Sequence, residues 1–220
     1  MPMIIQTNNH VTLVGGGEVT PAQLTESLTL APVLVAADGG AGAALKAGAM
    51  PQAVIGDFDS LQPEIRDLIP PDRLHHVAEQ ESTDFDKALR SISAPLILGH
   101  GFLGQRVDHE LAALNTLITK PGPPCILVGR RDVIFAAPPR VALDLPPHTR
   151  FSLFPLAAVT GRSTGLHWPI DGISFIPGGP IGTSNRTTGA VMLDFDQPGM
   201  LVILPQDQLP AAIAAHVPAK

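Results

Sequence analysis

The chain has one cysteine (Cys125), one tryptophan (Trp168) and no tyrosine among its 220 residues. A single cysteine excludes an intramolecular disulfide and a cysteine-based zinc site. No uninterrupted apolar run reaches the roughly 18 residues that a membrane span requires. The opening segment MPMIIQTNNH lacks the basic stretch, long apolar core and small-residue cleavage site of a secretory signal. Basic residues never run longer than two, and the net charge is −6. That balance excludes the clustered Lys/Arg footprint of a nucleic-acid binder. An acidic chain of this kind grips a polyphosphate only with help from a divalent cation or from backbone N–H groups. The expectation is a cytoplasmic protein that engages neither nucleic acid nor membrane.

What is present is apolar and heavily punctuated. Hydrophobic residues make up 45% of the chain, and 23 prolines and 21 glycines fall between the apolar segments, where they read as loop signals. Up to about residue 138, short apolar runs alternate with helical stretches. The strand HVTLVGGG is followed by TPAQLTESLTLA, which opens with Thr20 as N-cap and Pro21 at the first helical position. PVLVAADGG leads to AGAALKAGA, PQAVIGDFDS to LQPEIRDLI, LHHVAE to TDFDKALRSIS and PLILGHGF to VDHELAALNTLIT, before PCILVGRRDVIFAA closes the series. Strands apolar on both faces and separated by helices predict a doubly wound, mostly parallel α/β sheet over residues 1–138. From Arg140 the pattern changes to short strands with many Gly, Pro, Ser and Thr turns, which predicts a smaller antiparallel β domain, a sandwich or barrel, over 139–220. The last residues, QDQLPAAIAAHVPAK, read as a short helix or a frayed end.

Ligands of doubly wound sheets bind at the carboxyl ends of the strands. Every such end here carries glycines, carboxylates or both: Gly15 to Gly17, then Asp38 with Gly39 and Gly40, then Asp57 and Asp59, then Gln80, Thr83 and Asp84, and last Gly99 and Gly101 followed by Arg106 and Asp108. Two aspartates two residues apart in an extended segment point to one side and repel unless a cation lies between them. Magnesium, with its preference for carboxylate and phosphate oxygens, answers that conflict, whereas an isolated pair would be a solvated, helix-capping loop. Asp38 and Asp84 at the same edge favour the metal reading. Lys87, one turn after Thr83, is either a phosphate ligand or a solvated lysine. Arg106 at the crevice edge suits bidentate contact with phosphate. In the β domain Trp168 is either core filler or a stacking platform for a flat ligand. Ser184 and Asn185, in GTSNRTTG, belong to a polar turn or to a ligand-binding loop.

Taken in order, ADGG, GDFDS, EQESTDFDKAL, GQRVDHELA, GLHWPI and GTSN resemble the thiamine pyrophosphokinase (thiamine diphosphokinase) family. The resemblance implies an α/β domain, a C-terminal β-sandwich and a homodimer whose active sites are shared between subunits. It also implies transfer of pyrophosphate from ATP to thiamine with Mg2+. Asp57, Asp59 and Asp84 would be the catalytic, metal-holding carboxylates. Asp38, Gln80, Thr83, Lys87, Arg106 and Asp108 would line the nucleotide site, and Trp168, Ser184 and Asn185 the thiamine site. Two departures stand out: Glu79-Gln80-Glu81 replaces an Asp-Gln-Asp common in the family, and Gln105 stands where a second glycine is common. Diphosphorylation of another alcohol, such as a hydroxymethylpterin, and a non-catalytic nucleotide- or thiamine-binding module are the alternatives.

Overall fold

The computed structural model describes residues 3–104, 106–119 and 122–216, so Gln105 lies outside the described residues. The chain divides into two compact units, one ending at Gly129 and the other running from Arg130 onward together with Leu117–Thr119. That division falls earlier than the seam expected at 138/139. The reason is the strand 132–136, which pairs antiparallel with the last strand of the second unit.

The first unit runs β1 (Ile5–Gln6), β2 (Val11–Val14), α1 (Pro21–Leu30), β3 (Val33–Ala37), α2 (Gly40–Lys46), β4 (Ala53–Gly56), α3 (Pro63–Arg66), β5 (Leu74–His76), α4 (Asp84–Arg90), β6 (Ile92–Ser93), β7 (Ile97–His100), α5 (Val107–Thr119) and β8 (Cys125–Val128). Its main sheet has the order β8-β7-β2-β3-β4-β5, and all its pairings are parallel. The chain reverses its direction of travel across the sheet between β2 and β7, the switch point where such folds open a crevice. All residues of β2, β3, β4, β7 and β8 are buried, which accounts for their apolar composition on both faces.

Helix α1 begins as its sequence dictates. Thr20 and Gln23 cap each other reciprocally, and Pro21 occupies a position that needs no N–H donor. Leu24 of α1 and Ala44 of α2 pack with Val14 and Leu34 in one cluster; Ala41, Leu61 and Ile69 pack with Ala36 and Val54 in another. Close approach of α2 to β2 requires glycine at its first residue, because a Cβ on Gly40 would overlap the Val14 carbonyl oxygen. Between α1 and the inner strands β2 and β7, Thr12 Oγ1 donates to Ala31 O (2.7 Å) and lies 2.9 Å from Ser27 Oγ, which in turn meets His100 Nε2 at 2.9 Å. This buried chain satisfies three polar side chains, and burial lowers the His100 pKa to about 4. A separate two-stranded parallel pair, β1 with β6, was not foreseen from the sequence.

The second unit holds β9 (Asp132–Ala136), β10 (Arg140–Leu143), β11 (Arg150–Pro155), β12 (Gly161–Leu166), β13 (Gly182–Phe195), β14 (Met200–Pro205) and α6 (Leu209–His216). The long β13 belongs to two antiparallel layers. Its first half pairs with β11, which continues to β14 and β9, and its second half is flanked by β10 and β12. Asn185, Thr187, Val191, Leu193 and Phe195 alternate inward along β13, and Phe135, Phe151 and Phe175 fill the interior. The antiparallel β unit expected from the turn-rich sequence is what forms, and the tail is helical over α6.

Candidate functional site

Four strand ends of the α/β unit deliver the side chains singled out by sequence. Asp38 follows β3 in a left-handed conformation (φ 41°) and is 2% exposed. Its Oδ2 accepts the Ser60 N–H at 3.0 Å, while its buried Oδ1 finds no donor. Burial is the main force pushing its pKa up to about 6; the Ser60 hydrogen bond opposes it, and the charges of Asp84 and Asp59 add to it. Glycine at position 56 is obligatory for this arrangement, since a Cβ there would sit 2.8 Å from Asp38 Cβ and 3.2 Å from Asp84 Oδ1.

Asp57 and Asp59 follow β4. Between them Phe58 takes a left-handed backbone (φ 66°), stabilised by ring contact with His76 at 5.6 Å and by the Arg66 guanidinium over its face. The turn folds onto itself: Asp57 Oδ1 accepts the Asp59 N–H at 3.3 Å, and the Ser60 hydroxyl donates to Asp59 Oδ1 at 2.9 Å. Carboxylate oxygens of Asp38, Asp57 and Asp59 come within 4.8 Å of one another, close enough to share one cation.

Helix α4 supplies the rest. Thr83 caps it by accepting the Asp86 N–H, and Asp84 begins it, where the helix dipole favours an anion. Lys87 is 1% exposed, and its Nζ reaches Asp57 Oδ2 at 2.9 Å and Asp84 Oδ1 at 3.1 Å. The solvated-lysine alternative does not describe this position, because the ammonium is a buried counterion between two carboxylates. Gln80 Nε2 adds a hydrogen bond of 3.3 Å to Asp57 Oδ2. The Lys87 hydrogen bond is the main cause of a lowered Asp57 pKa, whereas burial raises that of Asp84 despite Lys87. For Lys87 itself burial pulls the pKa down, but the two carboxylates outweigh it and the pKa is raised.

One brace was missed in the sequence. Arg90 binds Asp86 Oδ1 through Nε (2.8 Å) and reaches Glu79 (3.2 Å) and Ser82 (3.1 Å) through Nη2, so it ties the segment carrying Gln80 and Thr83 to α4. The Asp86/Arg90 spacing of four on a helix was the available signal. Arg106 and Asp108 form a mutual pair on the connection to α5, with contacts of 2.6 and 3.2 Å and side chains about two-thirds exposed.

In the β unit, Trp168 is 56% exposed and is therefore not core filler. Asn185 is buried and engaged locally: its Oδ1 accepts from the N–H groups of Trp168 (3.2 Å) and Arg186 (2.8 Å), and its Nδ2 donates to Trp168 O (2.7 Å). Ser184 is exposed on a left-handed backbone (φ 62°), with its N–H on Ser152 Oγ at 3.1 Å.

A carboxylate cluster with a buried lysine, set at the open edge of a parallel sheet, coincides with a family match. Residues 24–127 match the model for the thiamin pyrophosphokinase catalytic domain. That matched segment falls almost wholly within the α/β unit. Among curated relatives, thiamine pyrophosphokinase 3 of Oryza sativa is 31% identical over 156 residues, covering 61% of this chain and 58% of its own length. Thiamine pyrophosphokinase 1 of Arabidopsis thaliana is 28% identical over 156 residues, with the same coverage. The match thus spans little more than half the length of these relatives. Among solved structures, the thiamin pyrophosphokinase of Candida albicans superposes with a TM-score of 0.77 at 17% identity, over 91% of this chain and 92% of that one. The Bacillus subtilis thiamine pyrophosphokinase gives 0.70 at 22% identity, over 89% and 98%. These likenesses establish the family's fold through both units, α/β sheet and antiparallel strands alike. Among the described residues, no helix is long and apolar enough to cross a membrane.

Proposed function

We propose that the protein is a thiamine diphosphokinase that transfers pyrophosphate from ATP to thiamine. The α/β unit takes the nucleotide and the β unit takes thiamine. The observation that carries this reading is the convergence of Asp38, Asp57, Asp59 and Asp84 on one sheet edge, with one buried ammonium among them, in the unit that carries the family match. In the reaction the thiamine hydroxyl oxygen bonds to the β-phosphorus of ATP. The bond from that phosphorus to the oxygen bridging the α- and β-phosphates breaks, AMP leaves with that oxygen and the bonding pair, and the hydroxyl proton is released.

The donor set fits a hard divalent cation: only carboxylate oxygens, close together, with one buried oxygen of Asp38 lacking a donor. Asp57 and Asp59 would hold Mg2+ with Asp38 within reach as a third ligand, and Asp84, bonded to Lys87, would border them from α4; the ion would neutralise charge on the polyphosphate. Lys87 keeps Asp57 and Asp84 ionised and in place. Gln80 and Thr83 border the nucleotide on the segment braced by Arg90, and the Arg106–Asp108 pair presents a guanidinium at the same edge. Trp168, Ser184 and Asn185 shape the thiamine site. A homodimer, a cytoplasmic setting and Mg2+ dependence belong to the same proposal.

The test is formation of AMP and thiamine diphosphate from ATP and thiamine with Mg2+. Absence of product at high enzyme concentration overturns the reading. Asp59 is exposed, so Asp59→Ala should leave the circular dichroism spectrum unchanged while turnover falls by about 100-fold or more, the scale of removing one charge-stabilising group.

A further inference from the structure

Around Trp168 the β unit has two further residues, Arg186 and His167, to which the reaction as proposed gives no role. The Arg186 guanidinium lies over the Trp168 ring, 5.6 Å from its centroid, and its Nη2 is 3.1 Å from His167 Nε2. The His167 and Trp168 rings meet edge to face with centroids 4.5 Å apart. Backbone bonds fix the same residues from below: the His167 N–H donates to Arg186 O at 2.8 Å, and Asn185 holds both the N–H and the carbonyl of Trp168. A guanidinium has donors only, so His167 Nε2 accepts and its proton resides on Nδ1. Arg186 is thus engaged by two aromatic rings at once, while Trp168 keeps 56% of its surface open.

We infer that Arg186 is a positioning and specificity-determining residue: it orients the Trp168 indole as a stacking surface and, by its charge, reserves that surface for a neutral aromatic ring. The inference rests on the proposed thiamine reading. Thiamine carries two rings, a neutral aminopyrimidine and a cationic thiazolium. A cation already seated on the indole repels a second one and occupies the site's cation–π capacity. The aminopyrimidine therefore stacks on Trp168, and the thiazolium is directed away from Arg186. Asn185, with its amide engaged by the backbone of residues 168 and 186, acts through Trp168 and not on the ligand.

The lone tryptophan makes the test site-specific, because all indole emission comes from Trp168. In the full-length protein, thiamine and the isolated aminopyrimidine should quench that emission saturably, whereas an isolated thiazolium should not. Arg186→Ala should let the thiazolium quench as well and raise KM for thiamine about two- to five-fold, with kcat and KM for ATP unchanged, the scale of one exposed cation–π contact. Arg186→Lys, which keeps the charge, should restore the discrimination between the two rings. Equal quenching by both rings in the wild-type protein overturns the inference, as does an Arg186→Ala variant with unaltered ring preference. If thiamine is turned over without changing Trp168 emission, this inference falls and the proposed function stands. If there is neither turnover nor quenching, both fall.

Discussion

Lys87→Met removes the ammonium from between Asp57 and Asp84 and keeps an unbranched apolar stem of similar length. The lysine side chain is 2% exposed, and its partners are 14% and 32% exposed. Breaking a fully buried ion pair costs about 3–5 kcal/mol. Solvent reaches Asp84 and screens part of the interaction, so about 2–3 kcal/mol is the expectation here. With a urea dependence of about 2–3 kcal/mol per molar, the unfolding midpoint should drop by about 1 M at pH 7. The loss should also depend on pH. In the wild type the Asp57 pKa is lowered, so its contribution is present above the ordinary carboxylate range and is lost as pH falls through the folded pKa. In the variant two carboxylates face each other without a cation, which raises their folded pKa values; that strain is relieved as pH falls and they protonate. The gap between wild type and variant should therefore be widest at pH 7 and shrink toward pH 4. Urea titrations followed by circular dichroism at both pH values measure it. A variant as stable as the wild type, or a gap of the same size at both pH values, refutes the counterion argument.

Gly40→Ala forces a methyl onto the Val14 carbonyl at the α2–β2 contact and should lower stability by at least about 3 kcal/mol, seen as loss of soluble, folded protein. His100, its pKa lowered by burial from 6.5 to about 4, binds its proton more readily when unfolded. Its share of stability is therefore present above pH 6.5 and lost as pH falls toward 4, by about 3 kcal/mol, and that share should be missing from the pH profile of His100→Asn in denaturant titrations. Asn185→Ala leaves the Trp168 backbone without its partners and should cost about 1–2 kcal/mol and roughly 4 °C in Tm, with altered Trp168 emission.

Much of the α/β unit was legible because its strands are short apolar runs ending in glycine or aspartate, and because Thr20-Pro21 marks a helix start unambiguously. The strand 132–136 was grouped with the parallel series because DVIFAA is as apolar as its predecessors; only its pairing with β14 reveals its place. The pair β1–β6 has two residues in each strand, too few to leave a period. At the site, the carboxylates were readable from their position at strand ends. The burial of Lys87 was not: a lysine three residues after an aspartate looks the same on a solvated helix face, and only the turn bringing Asp57 over α4 makes it a counterion. The local engagement of Asn185 is likewise illegible in the sequence, because its partners are backbone atoms that no side-chain pattern announces.

Asp38, Phe58 and Ser184 hold left-handed backbones without being glycine; the first two belong to the segments that aim the carboxylates, and the third lies in β13 just before Asn185. Each such conformation costs on the order of 1 kcal/mol. For protein engineering this sets a specific trap. A stabilisation campaign guided by backbone energy would select these positions first and gain by placing glycine there. It would also release the loops that aim the carboxylates and the β13 turn, trading heat tolerance for a slack site. Stabilising changes belong elsewhere, on exposed apolar positions such as Leu68 and Met192, where the backbone is unstrained and no side chain of the site is touched.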